Sequence, residues 1–283
     1  ANALLVAGSD AQKTEWLPKI SDGSTIVTLA VDEGPRHDPS RIALEASTAG
    51  DGFVLNGTKT HVLEGLAADQ FVVAARTSGK SGETDGITLF LVPANASGIG
   101  RSRLATADSR GYAKVAFAGV KVGNDAVLGN VGDGFAPLDR ILDRARAGLA
   151  AEMLGTAAQS FDMTLDYLKN RVQFGQPIGS FQALGHRASI LFTEMEMARS
   201  CIEAALQAID NDAEDVAKLC SLAKFKANAF LHHMSNELIQ IHGGIGMTDE
   251  FDAGLFLKRA RAAEATFGNE AFHRNRYATF AGL

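Results

Sequence analysis

The sequence predicts an α+β protein, in which an antiparallel β-barrel or sandwich is followed by an antiparallel four-helix bundle. Between about residues 24 and 127, apolar and polar residues alternate in short runs broken by turn residues, as expected of half-buried strands. From residue 135 onward, apolar residues recur three and four positions apart, which is the period of amphipathic helices. The change of period predicts a central β domain over 24–130 and a helical domain over 131–283.

Five stretches of the β domain have the alternation of strands. The pair Asn56 and Gly57 separates two apolar runs, and such a pair is the strongest short-range signal for a two-residue type I′ hairpin. We therefore predict a turn at Asn56. The predicted strands are 24–31, 52–62, 70–75, 87–92 and 113–117.

The helical domain begins with a periodic run long enough for one helix of roughly 35 residues. A second helix is predicted from Ser180, as its N-terminal cap, to about residue 210. A third is predicted to follow Asp212 and to end near residue 241, because Gly243 and Gly244 follow it and glycine suits the position after a helix. Two shorter helices are predicted at about 250–266 and 270–281, with Asn269 as the N-terminal cap of the second.

Composition restricts the class of protein. The chain has 283 residues, 46% of them hydrophobic, which is enough for a large core and argues against disorder. A net charge of -6 gives no reason to expect nucleic acid or an anionic membrane as partner. The sequence contains no apolar run of about 18 residues, so membrane insertion is not predicted. Cys201 and Cys220 lie in helical patterns, so we expect free thiols and a cytoplasmic protein.

Several common catalytic motifs lack their required sequence or context. Neither Gly-x-Ser-x-Gly nor Gly-x-x-x-x-Gly-Lys occurs, and residues 243–246 (GGIG) follow a predicted helix rather than a strand, unlike a dinucleotide fingerprint. His232 and His233 are neighbours on a helix and point about 100° apart. We therefore predict no metal site.

The most informative segment is 171–184 (RVQFGQPIGSFQAL), where one long helix is predicted to end and the next to begin. A tight turn would place Arg171 beside free backbone N–H groups and an aromatic ring. This combination suits an anionic, planar ligand such as a nucleotide. A plain helical hairpin with a surface arginine explains the segment equally well.

Residues 171–178 (RVQFGQPI) and 240–247 (QIHGGIGM), with the β half before them, resemble the acyl-CoA dehydrogenase family of flavoproteins. The resemblance implies an N-terminal helical domain, a central β domain and a C-terminal four-helix bundle. Residues 1–23 would then be a remnant of the first domain. Because the sequence has no initiator Met, we expect it to begin partway through a longer product.

In this family FAD lies between two subunits, so that each chain provides two half-sites. The β domain of one chain packs against the isoalloxazine, and the bundle of the other holds the ADP end. The resemblance assigns six residues to the ADP half-site, although Gln173 replaces a common Thr. They are Arg171, Gln173, Phe174, Gln240, Gly243 and Gly244.

The isoalloxazine half-site departs from the family pattern at three positions. Asp32 stands where a hydroxyl would donate to the flavin, and His61 replaces a stacking Trp. Leu63 replaces a Thr and has no side-chain donor. A carboxylate would also disfavour the anionic reduced ring. This half-site is predicted to be degraded.

The family removes the α proton of an acyl thioester with a Glu carboxylate. The resemblance places the usual base slot at Phe267, just before Gly268, and the alternative slot at Ala145. Neither side chain can accept a proton. Arg146, next to the second slot, is retained as a substrate-binding candidate, whereas Glu264 and Glu152 are weaker candidates for a relocated base.

The leading hypothesis is therefore an acyl-CoA dehydrogenase subunit that completes the FAD site of a catalytic partner in a heterotetramer. The substrate would be an acyl-CoA, such as a fatty acyl or bulky steroid thioester, and an electron-transfer acceptor would reoxidise the flavin. Two alternatives stay open. One is a self-sufficient flavoenzyme of the same fold with altered chemistry, and the other is a flavin-free scaffold subunit.

Overall fold

The computed structural model describes all 283 residues. The chain divides into two compact units, Ala1–Leu142 and Asp143–Leu283. This division falls inside a long helix, whereas the change of sequence period lies near residue 130. None of the helices combines the length and the apolar content needed to cross a membrane.

The first unit consists of two short helices and one mixed sheet. Its strands follow the order β6-β7-β3-β2-β4-β5-β8, and β1 pairs with β4 in parallel. The elements are α1 Asn2–Ala7, α2 Asp10–Ser21, β1 Val27–Ala30, β2 Glu45–Ala49, β3 Gly52–Val62, β4 Gln70–Arg76, β5 Ile87–Pro93, β6 Ile99–Arg103, β7 Ala113–Gly123 and β8 Val127–Leu128.

Alternation along the strands buries one set of apolar side chains inside this unit. Phe53 and Phe90 meet edge to face with ring centroids 5.2 Å apart, and Phe71 and Phe117 do so at 6.4 Å. Burying each such ring stabilises the fold by about 1.5–3 kcal/mol. The five predicted strands are confirmed, but β2, β6 and β8 were not foreseen. Most residues of β2 and β6 are exposed and polar or small, and β8 has only two residues.

The hairpin predicted at Asn56 and Gly57 is wrong. Both residues lie inside β3, and the pairing of β3 with β7 shifts register between Leu55 and Asn56. Asn56 Oδ1 accepts a hydrogen bond from Gly119 N at 2.8 Å. A Cβ at Gly57 would lie 2.9 Å from Leu44. The pair therefore forms an irregularity within one long strand, where a close backbone approach requires glycine.

The second unit is an antiparallel helical bundle. The predicted long helix is confirmed, since α3 has 36 residues. The helices and hairpin strands are α3 Phe135–Asn170, β9 Val172–Gln173, β10 Gln176–Pro177, α4 Gln182–Asp210, α5 Val216–His242, α6 Ala253–Ala265 and α7 Glu270–Phe280, with 3₁₀ turns at Ile178–Ser180 and Gly243–Met247.

Helix ends in the bundle follow the predictions except at the starts of α4 and α5. Helix α5 begins at Val216, with Asp215 rather than Asp212 at its N-cap position. Ser180 is not the cap of α4, because its hydroxyl donates to Pro177 O at 2.7 Å within the preceding 3₁₀ turn, and Phe181 occupies the N-cap position. At α7 the predicted cap is confirmed: Asn269 Oδ1 accepts from Phe272 N at 2.9 Å. Gly243 ends α5 as expected.

Candidate functional site

The turn after α3 is a two-residue hairpin between β9 and β10. Gln173 pairs with Gln176, and the two residues between them, Phe174 and Gly175, have φ of 54° and 78°, as a type I′ turn requires. A bulky residue rarely adopts positive φ, and the Phe174 side chain is 91% exposed. An exposed aromatic ring held in a strained turn indicates a binding role.

An aromatic stack joins this hairpin to the end of α5. Arg171 N donates to Tyr167 O at 2.9 Å. The Tyr167 hydroxyl donates to His242 O at 3.4 Å, and the two rings lie 4.2 Å apart. The Phe251 ring also packs against His242, with ring centroids 4.4 Å apart. The structure therefore brings the exposed Arg171 and the Gly243 turn to the same end of the bundle.

The backbone beyond α5 is open to a ligand. Gly243 has φ 61° and ψ -134°, a conformation that side chains other than glycine avoid. A Cβ added to Gly243 or Gly244 would meet no atom within 4 Å. Gln240 is exposed beside them. Open glycine backbone, a guanidinium and an exposed aromatic ring are groups that fit the ADP part of FAD.

The segment predicted to face the isoalloxazine is internally paired. His37 Nδ1 lies 2.9 Å and 3.0 Å from the two carboxylate oxygens of Asp32. The Thr28 hydroxyl donates to Leu63 O at 2.6 Å, and the His61 side chain is exposed. Asp32 offers only acceptors when it is charged, and Leu63 offers no side-chain donor. These residues do not fit an isoalloxazine that needs donors.

The scaffold below this segment is nevertheless well anchored. The Glu33 carboxylate accepts hydrogen bonds from Ala43 N and Leu44 N, both at 2.9 Å, and from the fully buried Lys59 amine at 2.7 Å. Burial lowers the pKa of Lys59, and the charge of Glu33 opposes that shift. The segment thus keeps a specific shape although its predicted flavin-contacting side chains differ from the family pattern.

The corner between α6 and α7 holds Phe267 in place of a base. Phe267 has φ 56° and packs against the bundle core. Gly268 follows with φ 108°, and a Cβ there would lie 2.5 Å from the Phe272 ring. His273 Nε2 donates to Phe267 O at 3.0 Å. The corner is therefore closely packed and presents no carboxylate of its own.

Three buried polar residues support this corner, and the sequence analysis missed them. The Lys224 amine contacts Asn228 Oδ1 at 2.6 Å, Ala263 O at 3.1 Å and Gly268 O at 3.3 Å. His273 is fully buried. The only available signal was that Lys224 and Asn228 lie four residues apart on an otherwise apolar helix face.

The second base slot, Ala145, is half-buried on α3. Its neighbour Arg146 is fully buried, donates to Asp143 Oδ1 at 2.9 Å and lies over the Phe272 ring at 5.5 Å. Arg276 NH1 contacts the same Asp143 oxygen at 2.8 Å. A ligand would reach the guanidinium of Arg146 only if the surrounding side chains moved, and its substrate-binding role stays a prediction.

The two candidate relocated bases are both engaged by arginines. Glu264 contacts Arg261 NH1 at 2.6 Å and His232 Nδ1 at 3.2 Å. Glu152 contacts Arg259 NH2 at 2.7 Å. Each carboxylate is therefore engaged in an ion pair with an adjacent guanidinium, which favours a structural role.

Family models match most of the chain. The acyl-CoA dehydrogenase middle domain matches residues 29–121, and the acyl-CoA dehydrogenase C-terminal domain matches residues 132–281. The chain belongs to the acyl-CoA dehydrogenase family, whose members are FAD flavoproteins and oxidoreductases. The resemblance drawn from 171–178 and 240–247 is thereby confirmed.

Individual relatives agree with this assignment. The chain is 30% identical over 258 residues to the mitochondrial short/branched chain specific acyl-CoA dehydrogenase of Bos taurus, covering 90% of this chain and 59% of that protein. An FAD-dependent dehydrogenase superposes with a TM-score of 0.94 at 28% identity, covering 99% and 76% of the two chains. A Tcur3481-Tcur3483 steroid ACAD variant superposes at 0.88 with 30% identity, covering 99% and 73%.

The chain spans 59% to 66% of the length of the first curated relatives that it matches.

Proposed function

We propose that the protein is an acyl-CoA dehydrogenase subunit that completes the FAD site of a catalytic partner and supplies no base itself. The observation behind this proposal is the contrast between its two half-sites. The ADP side has an exposed Arg171 and open glycine backbone, whereas the isoalloxazine side has the Asp32 and His37 pair in place of a hydroxyl.

The ADP half would act by binding and orientation alone. The Arg171 guanidinium would form paired hydrogen bonds to the diphosphate, and the Phe174 ring would stack on the adenosine end. The glycines at 243 and 244 would allow the backbone to approach closely. FAD bound in this way would accept the hydride that leaves the acyl chain, while the partner holds the reacting atoms.

The corner between α6 and α7 supports the same assignment of roles, in which this chain binds FAD and the partner carries out proton removal. Phe267 and Ala145 occupy the two base slots of the family, and Glu264 and Glu152 are paired with arginines. With no carboxylate in either slot, the chain lacks the family's general base for the α proton. The partner would therefore supply the base.

The likeness to the Tcur3481-Tcur3483 steroid ACAD variant supports two finer proposals. The assembly would be a heterotetramer, and its substrate a bulky acyl-CoA such as a steroid side-chain thioester. This would place the protein in lipid or steroid degradation in the cytoplasm, where an electron-transfer protein would reoxidise the flavin.

The decisive measurement is the flavin content of the complex with its partner chain. After copurification, the absorbance of released flavin should give one FAD for each pair of chains. Two FAD per pair would contradict the degraded half-site. Dehydrogenation of any acyl-CoA by the isolated chain would contradict the absence of a base.

A second experiment tests whether this chain contributes the ADP half. Arg171→Ala should weaken FAD retention by the complex about 10-fold to 100-fold, as expected from the loss of a charged hydrogen-bonding group. Arg199→Ala removes a half-buried arginine of the bundle, which pairs with Glu196, and should leave FAD retention unchanged. Equal effects of the two substitutions would argue against the assignment.

A further inference from the structure

Lys224 is fully buried, and all the hydrogen-bond acceptors around its amine are neutral oxygens. They are the side-chain oxygen of Asn228 and the backbone oxygens of Ala263 and Gly268. Ala263 belongs to the last turn of α6, and Gly268 belongs to the corner. The Lys224 amine therefore connects α5 with the end of α6 and with the corner at Gly268.

The number of protons on this amine sets how many of the three oxygens it can satisfy. An ammonium group has three N–H donors, one for each oxygen, whereas a neutral amine has two. A positive charge is also favoured at this place because the carbonyls at the C-terminal end of α6 carry a partial negative charge. Loss of one proton to solvent would remove both the third donor and this attraction.

The Gly268 oxygen is the acceptor that this loss would affect most. Its contact with the amine, at 3.3 Å, is the longest of the three. Asn228 Nδ2 lies 3.4 Å from the same oxygen, at the outer limit of a hydrogen bond. We infer that the protonated Lys224 amine positions the Phe267 corner, and that release of one proton frees the Gly268 carbonyl and loosens the corner.

The charges around Lys224 allow this change near neutral pH. Burial is the largest influence and lowers the pKa of Lys224 to about 7, with Arg146 on α3 and Arg259 on α6 acting in the same direction. Glu264 on α6 opposes them. His273 on α7 is neutral, because burial and the neighbouring cations lower its pKa to about 2. No carboxylate hydrogen-bonds to the amine.

Hydrogen exchange of the purified full-length chain, followed by mass spectrometry, tests this inference without flavin or partner. After correction for intrinsic rates, a peptide covering 264–272 should exchange about threefold to tenfold faster at about pH 8.5 than at about pH 6, as expected from loss of one hydrogen bond. A peptide from the middle of α5 should show no such change. Equal corrected rates at the two pH values would overturn the inference.

Variants separate the amine from its surroundings. Lys224→Met keeps the long side chain without donors, so the corner should exchange rapidly at both pH values. Lys226→Met removes a half-buried lysine two positions further along α5 and should behave like the unchanged chain. If Lys224→Met does not fold, nitrogen-15 NMR of the lysine amines decides instead, because a Lys224 amine that titrates above about pH 9.5 would overturn the inference.

Discussion

His273 Nε2 donates a hydrogen bond to the backbone carbonyl oxygen of Phe267 at 3.0 Å, so a buried ring in α7 holds the residue that occupies the family's base slot. With Nε2 protonated, Nδ1 carries the lone pair, and this buried atom has no hydrogen-bond partner. Burial and the charges of Arg146, Lys224 and Arg276 lower the pKa of His273 to about 2.

This arrangement predicts an acid sensitivity of folding that originates at His273. Its folded pKa lies below its unfolded value, so the unfolded state binds the proton first as pH falls below about 6.5. The free energy of unfolding should then fall by about 1.4 kcal/mol per pH unit from this group alone. In His273→Gln, whose amide can still donate to Phe267 O, this contribution disappears.

Urea unfolding at about pH 7.5 and about pH 5 measures the difference. Between these values the unchanged chain should lose about 2 kcal/mol more than His273→Gln. His186→Gln removes an exposed histidine of α4 and should keep the full pH dependence. Parallel losses in the unchanged chain and in His273→Gln would show that His273 takes up its proton equally in both states.

Substitutions at the two neighbouring glycines separate backbone strain from ligand approach. Gly243→Ala forces a side chain into φ 61°, ψ -134° and should destabilise the chain by about 1–3 kcal/mol. Gly244 has no positive φ and open space around it, so Gly244→Ala should leave the melting temperature within a few degrees. Both variants should retain less FAD in the complex, because each Cβ projects into the proposed ADP half-site. Normal retention by Gly244→Ala would contradict the close backbone approach.

We expect Phe174 to lower the stability of the folded chain while contributing to flavin binding. Phe174→Gly removes a side chain held at φ 54°. The free energy of unfolding should therefore stay the same or rise by up to about 1 kcal/mol. The same variant should lose flavin from the complex faster. Ser109→Gly relieves a similar φ of 57° in the first unit and should leave flavin release unchanged. If the Phe174→Gly complex releases flavin at an unchanged rate, the exposed ring does not have its proposed binding role.

The sequence predicted those features that one local pattern determines. The period of apolar residues located the 36-residue helix, and glycines and Asn269 located the helix ends. The type I′ turn was predicted at Asn56, where local preference is strong, but the structure has such φ values at Phe174 and Gly175. Phenylalanine disfavours positive φ, so no propensity argument could have found this turn.

The site was predictable only where residues replace members of a known motif. The empty base slots at Phe267 and Ala145 and the changes at Asp32 and Leu63 could be identified by position. The supporting residues Lys224 and His273 could not, because a polar residue within an apolar helical stripe does not reveal which carbonyl it contacts. That contact depends on how α5, α6 and α7 pack together.

If the isoalloxazine half-site has been lost by substitution alone, restoring the family residues there should restore flavin binding. Asp32→Thr, His61→Trp and Leu63→Thr together return a hydroxyl, a stacking ring and a second hydroxyl to the isoalloxazine side. The triple variant should raise the flavin content of the complex from about one toward about two per pair of chains. Unchanged content would mean that backbone differences, rather than these side chains, exclude the ring.

Adding Phe267→Glu to this triple variant should then produce dehydrogenation at this chain's own corner, even in a complex whose partner has lost its Glu base. In the same complex, Phe267→Glu alone should give no activity, because no flavin ring would be bound at the isoalloxazine half-site of this chain. The two results together test whether the introduced base depends on bound flavin, because a base gives dehydrogenation only where a flavin accepts the hydride. Activity of the single variant would show that the Asp32 and His37 pair does not exclude the ring, and the proposed division of labour between subunits would fail.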